Sequence, residues 1–135
     1  MHPASCAVAI ANIDLIKEQD LVENARKKGE YLLELLEELK SLPCVGDIRG
    51  KGLFVGIEIV TDKKTKAPIE EKYLARLINM ASERGVIIGK NSSTIPNYSN
   101  VLIIAPPLIV EKDHLQNIVS TLRELLNALP NGSPN

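Results

Sequence analysis

Apolar positions follow two rhythms along the chain, one near 3.6 residues and one of two. The first segment, Ala4 to Lys17, obeys neither cleanly. It is apolar at almost every position from Cys6 to Ala11 and again at Ile13, Leu15 and Ile16. This predicts a helix apolar on most sides, which must be covered on most sides. A second helix is expected to open at Asp20, where Asp20 and Glu23 have capping-box spacing with Asp in place of Ser or Thr. Leu21, Ala25, Leu32, Leu36 and Leu39 then recur on one face, Glu37, Glu38 and Lys40 take the wet face, and Pro43 ends the helix. After Val45–Gly50, the stretch Leu53 to Val60 alternates strictly: Leu53, Val55, Ile57 and Ile59 against Phe54, Gly56 and Glu58. That is the period of a strand.

Thr61 to Pro68, with three lysines and a proline, reads as a solvated loop. A third helix is expected from about Ile69 to Arg84, with Tyr73, Leu74, Leu77, Ile78 and Ala81 inward and Gly85 as a left-handed C-cap. Val86 to Ile88 is predicted as a short buried strand, and Lys90 to Asn100 as an irregular loop. Val101 to Ile104 is predicted as another strand, halted by Pro106 and Pro107. The last helix, about Lys112 to Leu129, turns Leu115, Ile118, Val119, Leu122, Leu125, Leu126 and Leu129 inward, before a frayed tail over 130–135. The order α-α-β-β-α-β-β-α predicts an α+β fold, a small antiparallel or mixed sheet with helices on one face. Residues 1–19 fit that plan poorly and read as a connector that packs against something else, with the domain proper over 20–129.

Composition narrows the classes. A chain of 135 residues fits one domain. With 44% hydrophobic residues it should fold, and with one Phe, three Tyr and no Trp its core must be aliphatic. A net charge of −1 argues against nucleic acid as a partner. No apolar run approaches the ~20 residues a bilayer requires, and the N-terminus, with His2 and Pro3 directly after Met1, lacks the basic segment of a signal peptide. Cys6 and Cys44 are expected to be free thiols of a cytoplasmic protein.

The one glycine-rich cluster runs Gly46-Asp47-Ile48-Arg49-Gly50-Lys51-Gly52, then Leu53-Phe54-Val55-Gly56. It lacks the spacing of a P-loop, and it leads into a strand where a dinucleotide fingerprint would open a helix. A turn or bulge between two strands accounts for it, with Arg49 and Lys51 still able to present cations to an anionic partner. His2 and His114 have no carboxylate or thiol at ligand spacing, so no metal site is expected. No nucleophile elbow or Cys–His pair is indicated. Glu70 and Glu71 suit a helix N-terminus, and the run Asp62-Lys63-Lys64-Thr65-Lys66 suits a wet loop. Residue chemistry alone leaves an α+β domain without a catalytic constellation.

Three motifs in order add more. Met1-His2-Pro3-Ala4-Ser5-Cys6-Ala7 resembles the Gly-His-Pro-(small) motif of class III aminotransferases, the fold-type-I enzymes that include 4-aminobutyrate, β-alanine–pyruvate and acetylornithine aminotransferases. Val45 to Glu58 is similar to that family's C-terminal signature, and Asn100 to Leu108, ending Ala105-Pro106-Pro107-Leu108, to its next one. The resemblance spans residues 2 to about 129 and implies the small C-terminal domain of a pyridoxal-phosphate-dependent enzyme. Met1 stands where the family has Gly, so the chain is expected to be an expressed fragment or a truncated gene.

The family's Schiff-base lysine and the aspartate that pairs with the pyridine nitrogen lie in the large domain, and no residue here matches them. The resemblance therefore implies pyridoxal phosphate in the parent enzyme, no catalytic or cofactor-binding residue in this chain, and inactivity of the chain alone. The missing large domain is the implied partner, in a homo-oligomer. Several members carry an Arg three positions before the first proline of Pro-Pro-Leu, where its fork grips a substrate carboxylate. Ile103 occupies that position, which points to an ω-amino acid or amine as donor and a keto acid such as pyruvate as acceptor. The expected pocket wall is Arg49, Gly50, Lys51, Gly52, Ile103, Ile104, Pro106 and Pro107. The competing reading is a self-standing binding or interaction module without catalysis.

Overall fold

A computed structural model describes residues 2–92, 95 and 98–129. The tail at 130–135 and part of the 90–100 loop lie outside the described residues. The elements are α1 (Pro3–Glu18), α2 (Leu21–Glu37), a 3-10 turn (Glu38–Ser41), β1 (Val45–Lys51), β2 (Phe54–Asp62), β3 (Ala67–Pro68), α3 (Glu71–Glu83), β4 (Gly89–Lys90), β5 (Val101–Ile104) and α4 (Lys112–Asn127). The strands form one sheet in the order β1-β2-β5-β4, with β3 added on β2, and every pairing is antiparallel. The α+β class and the element order expected from the sequence hold, with β3 as an addition.

The alternation in β2 divides the sheet into two faces. Val55, Ile57 and Ile59 are fully buried and meet Leu32, Leu36, Leu74, Leu115 and Leu122 from the helices. All three packed helices thus lie on one side. On the other side the register aligns Arg49, Gly56, Ile103 and Gly89 in one row across four strands, with Asp47, Glu58 and Val101 in the next.

Two glycines set how closely the β1–β2 turn approaches α2. Gly52 has φ +56, the left-handed conformation the turn requires. Gly29 lies in the interior of α2, and a Cβ there would stand 2.3 Å from the carbonyl carbon and oxygen of Gly52. The backbones of helix and turn therefore touch directly.

Three local expectations are corrected. Asp20 does not cap α2: it sits at φ 49, ψ 40 and its side chain makes no capping bond, while Glu23 is held by Arg26. The tight α1–α2 junction is the cause, because Gln19 N–H bonds to the Leu15 carbonyl and Asp20 N–H to that of Lys17, a helix-ending geometry that turns the carboxylate away. Val86 to Ile88 is not a strand. Gly85 (φ +78) donates to the Ser82 carbonyl and Val86 to that of Ala81, the Schellman closure of α3, so sheet pairing starts only at Gly89. Thr61 to Pro68 is not wholly a loop. Asp62 accepts a hydrogen bond from Lys64 N–H at 2.6 Å, Lys66 takes φ 58, and the chain folds back as β3.

A helix-interior Gly→Ala change normally stabilises by about 1 kcal/mol. Gly29→Ala should do the reverse, lowering stability by roughly 1–3 kcal/mol through forced separation of α2 and the turn. Gly52→Val should cost roughly 1–3 kcal/mol through backbone strain. Urea unfolding midpoints at unchanged slope check both; an unaltered or raised midpoint in Gly29→Ala would show that the contact is not maintained in solution.

Candidate functional site

A hollow of about 740 Å³ lies between α2 and the β1–β2 turn and is closed on one side by Ala105, Pro106 and Leu108. Its apolar lining comes from Val22, Ala25, Leu33, Phe54 and Leu108, and the Gly29–Gly52 contact forms its base. Three of these apolar residues stay exposed: Val22 at 72%, Phe54 at 62% and Leu108 at 38%. Large apolar side chains left open around a hollow mark a surface built to be covered.

The rim is charged but mostly self-satisfied. Arg26 donates through Nε and Nη2 to both oxygens of Glu23, at 2.8 and 2.7 Å, and through Nη1 to Glu30 at 2.6 Å. The Arg26 hydrogen bond lowers the Glu23 carboxyl to about 2. With its fork saturated, Arg26 has little left for an incoming anion. Lys51, on the turn, makes no ion pair among the described residues. It is the rim cation available to a partner.

The structure distributes the sequence-derived wall residues over four surroundings. Gly50, Lys51, Gly52 and Pro106 converge on the large hollow. Arg49 and Ile103 stand in one row of the open sheet face, two strands apart, which is about 10 Å. Pro107 lines a smaller hollow of about 380 Å³ beside Gly85–Ile88, His114 and Asn117. Ile104 is 4% exposed and belongs to the core, because strand alternation sends it opposite to Ile103. Arg49 is itself engaged: its Nη1 lies 2.8 Å from Asp47 Oδ2 and holds the Asp47 carboxyl below the usual range.

Sequence reasoning missed the α2 wall of the hollow. The available signals were Val22 and Leu33, apolar residues off the inner face of α2, and an unexplained mid-helix Gly29. On the open face, Ile103 has Gly56 and Gly89 as its two row neighbours, so no side chain rises beside it within the row. Glu58 and Lys66 lie 3.7 Å apart at the margin. The Lys90 ammonium is paired with Glu71. Asn91 and Asn100 fasten the neck of the 90–100 loop. Asn91 accepts from Val101 N–H at 2.9 Å, and the buried Asn100 donates to the Ile59 carbonyl at 2.9 Å.

Among the described residues no group of His, Cys, Asp and Glu could hold a metal, and no helix is long and apolar enough to cross a membrane. Both cysteines are free. Cys6 is exposed; Cys44 is half-buried, its thiol pushed up by burial. The arrangement can bind and orient: it offers an apolar hollow, a rim lysine and a flat apolar row beside an arginine. It contains no nucleophile–base pair.

Comparison with known proteins places this geometry. The family model described as aminotransferase class-III matches residues 2–126. The aminotransferase YhxA of Bacillus subtilis is 41% identical over 122 residues, 90% of this chain and 27% of that protein. A taurine–pyruvate aminotransferase of Bilophila wadsworthia is 44% identical over 115 residues, 84% of this chain and 25% of that protein. Among solved structures, a Bacillus anthracis aminotransferase superposes with a TM-score of 0.90 at 43% identity, covering 95% of this chain and 29% of that one. An amine transaminase from an uncultivated Pseudomonas species, solved in its PLP-bound form, superposes with a TM-score of 0.83 at 33% identity, covering 93% and 28%. The chain thus spans about a quarter of the length of the curated relatives it matches.

The Asp47–Arg49 pair gives a direct solution test. Asp47 titrates below its ordinary range because of Arg49, so the pair persists as pH falls until that lowered pKa is passed. Arg49→Gln should move the Asp47 carboxyl titration upward, followed by carboxyl-carbon NMR. An unmoved titration would mean that Arg49 points elsewhere in solution.

Proposed function

The chain belongs to the class III aminotransferase family, and we propose that it is the small C-terminal domain of such an enzyme, supplying one wall of the substrate pocket. The whole protein in this reading is a cytoplasmic, homo-oligomeric aminotransferase. It moves an amino group from an ω-amino acid or amine to a keto acid such as pyruvate. The observation that carries the reading is the outer sheet face, where Arg49, Gly56, Ile103 and Gly89 form one row, with Arg49 and Gly89 exposed and Gly56 and Ile103 half-buried.

Ile103 gives this wall its selectivity. An arginine here would bind a second carboxylate bidentately; isoleucine offers only apolar surface and leaves a buried carboxylate unpaired. Substrates whose distal end is apolar, or whose acid group is gripped elsewhere, are favoured. Taurine carries a sulfonate in place of a carboxylate, and the taurine–pyruvate relatives support pyruvate as the acceptor class. Lys51, at the lip of the neighbouring hollow, adds a positive charge that draws anionic substrates toward the wall.

Pyridoxal phosphate, when bound, supplies the electron sink for amino transfer. This chain's residues do not fit its covalent attachment. That attachment asks for a lysine in an enclosed pocket with an uncommitted carboxylate nearby. Lys51 stands on an exposed turn, the Glu30 carboxylate is taken by Arg26, and Lys90 is paired with Glu71. The anchoring groups are therefore assigned to the polypeptide that the longer relatives carry beyond the match. This domain's part is to bind, orient and exclude water.

The purified chain should show no internal-aldimine absorbance with added pyridoxal phosphate and should transaminate no amine. Co-expression with the complementary N-terminal part of the Bilophila wadsworthia enzyme should restore turnover. A stoichiometric, reducible adduct at one lysine of the chain alone, with turnover, would refute the assignment; so would failure of a folded, co-purifying complex to transaminate.

A further inference from the structure

Between β5 and α4 the chain bridges two buried anchors. Ile104 is 4% exposed and Val110 5%, and no residue from Ala105 to Ile109 is buried. Ala105 and Pro106 border both hollows, the one of about 740 Å³ on the α2 side and the one of about 380 Å³ beside Gly85–Ile88. Open space on two sides leaves this bridge little packing, and Pro106 and Pro107 have no N–H to donate. Its own turn bond runs from Val110 N–H to the Pro107 carbonyl at 3.0 Å.

Two side chains one turn apart on α2 reach across to the bridge. Asn24 Nδ2 donates to the Leu108 carbonyl at 2.5 Å. Lys28 Nζ donates to Glu111 Oε2 at 2.8 Å, and that bond holds the Glu111 carboxyl below its usual range. The Lys28 side chain is only 14% exposed, which is uncommon for a lysine. Tyr31 continues the stripe, its hydroxyl accepting from Gln116 Nε2 at 2.7 Å. Positions 24, 28 and 31 share one helix face, beside Ala25 and Gly29, which meet the β1–β2 turn. Helix α2 therefore holds the turn with its small residues and the bridge with its polar ones.

We propose that Asn24 is a positioning residue of the substrate wall. Its amide sets how far Ala105–Leu108 stands from α2. It thereby fixes Pro106 at the edge of the hollow and the end of β5 that carries Ile103. Lys28 steadies the far end of the same bridge at Glu111. A single neutral hydrogen bond adds little to global stability, so its loss should free the bridge locally and leave the core folded. The effect on the wall rests on the substrate-wall reading; the pinning rests only on α2 and the bridge.

Asn24→Leu and Asn24→Asp are close in size to asparagine and lack the amide donor, whereas Asn24→Gln keeps it. In the full chain, the Val110 N–H should exchange with deuterium roughly tenfold faster in the first two variants and near the unsubstituted rate in Asn24→Gln. The Val60 N–H, bonded to the Cys44 carbonyl, should be unchanged in all three. In the assembled enzyme, Asn24→Leu and Asn24→Asp should raise KM for the amine donor about three- to tenfold with kcat within about twofold, the pattern of weakened binding without lost chemistry. Asn24→Gln should restore KM. Unaltered Val110 exchange in both variants without the donor would overturn the pinning. Faster exchange with unaltered KM, or a fall in kcat alone, would overturn the positioning role. Ile103→Arg in the same enzyme then locates the fault: a change in donor selectivity keeps the substrate wall and discards only the part of Asn24 in it, and no change discards the wall as well.

Discussion

The structure depends on one close contact, the touching backbones of α2 and the β1–β2 turn at Gly29 and Gly52. Neither residue has a side chain to hold the helix and turn apart, and the 2.3 Å clearance for a Cβ at Gly29 shows that no other residue fits without movement. The contact fixes the height of the hairpin against the helix. Strand pairing then carries that position outward: Gly50 sits opposite Val55, Arg49 opposite Gly56, and Gly56 beside Ile103. A shift of the turn would displace the whole row that faces outward. Packing inside the domain and presentation of its wall are one constraint.

The two faces of the sheet divide the labour. Alternation sends Val55, Ile57 and Ile59 under the helices, where they supply much of the burial that holds the fold together. It sends Phe54, Gly56 and Glu58 to the opposite face, away from the aliphatic core under the helices. The uncovered surfaces recur in the hollow around Val22 and Phe54 and over all of α1. On the proposed reading, the chain spans about a quarter of its relatives' length and this open apolar surface is where further polypeptide would pack.

Much of this was legible in the sequence because it rests on local patterns. The alternation in β2 gave its buried face, the spacing in α3 and α4 gave theirs, and Gly85 was expected where left-handed backbone is needed. The misses came where distant contacts overrode local signals. Asp20 has capping spacing, but the α1–α2 junction twists it away. Val86 and Ile88 alternate with an exposed Ile87 as a strand would, yet the closure of α3 claims the Val86 N–H. Ile103 and Ile104 read alike in sequence, and only strand parity separates a surface residue from a core one. The hollow was invisible because its α2 wall is far in sequence from the turn it faces.

The central claim is that the Ile103 row is the substrate-facing wall and that its apolar character sets selectivity. The most direct test is the ratio of kcat/KM for an amine without a second acid group to that for an amine bearing a distal carboxylate, in the assembled enzyme, before and after Ile103→Arg. The account predicts that the ratio falls by about tenfold or more, as expected for one new charge-assisted bidentate contact. An unchanged ratio in a variant that retains turnover would contradict it.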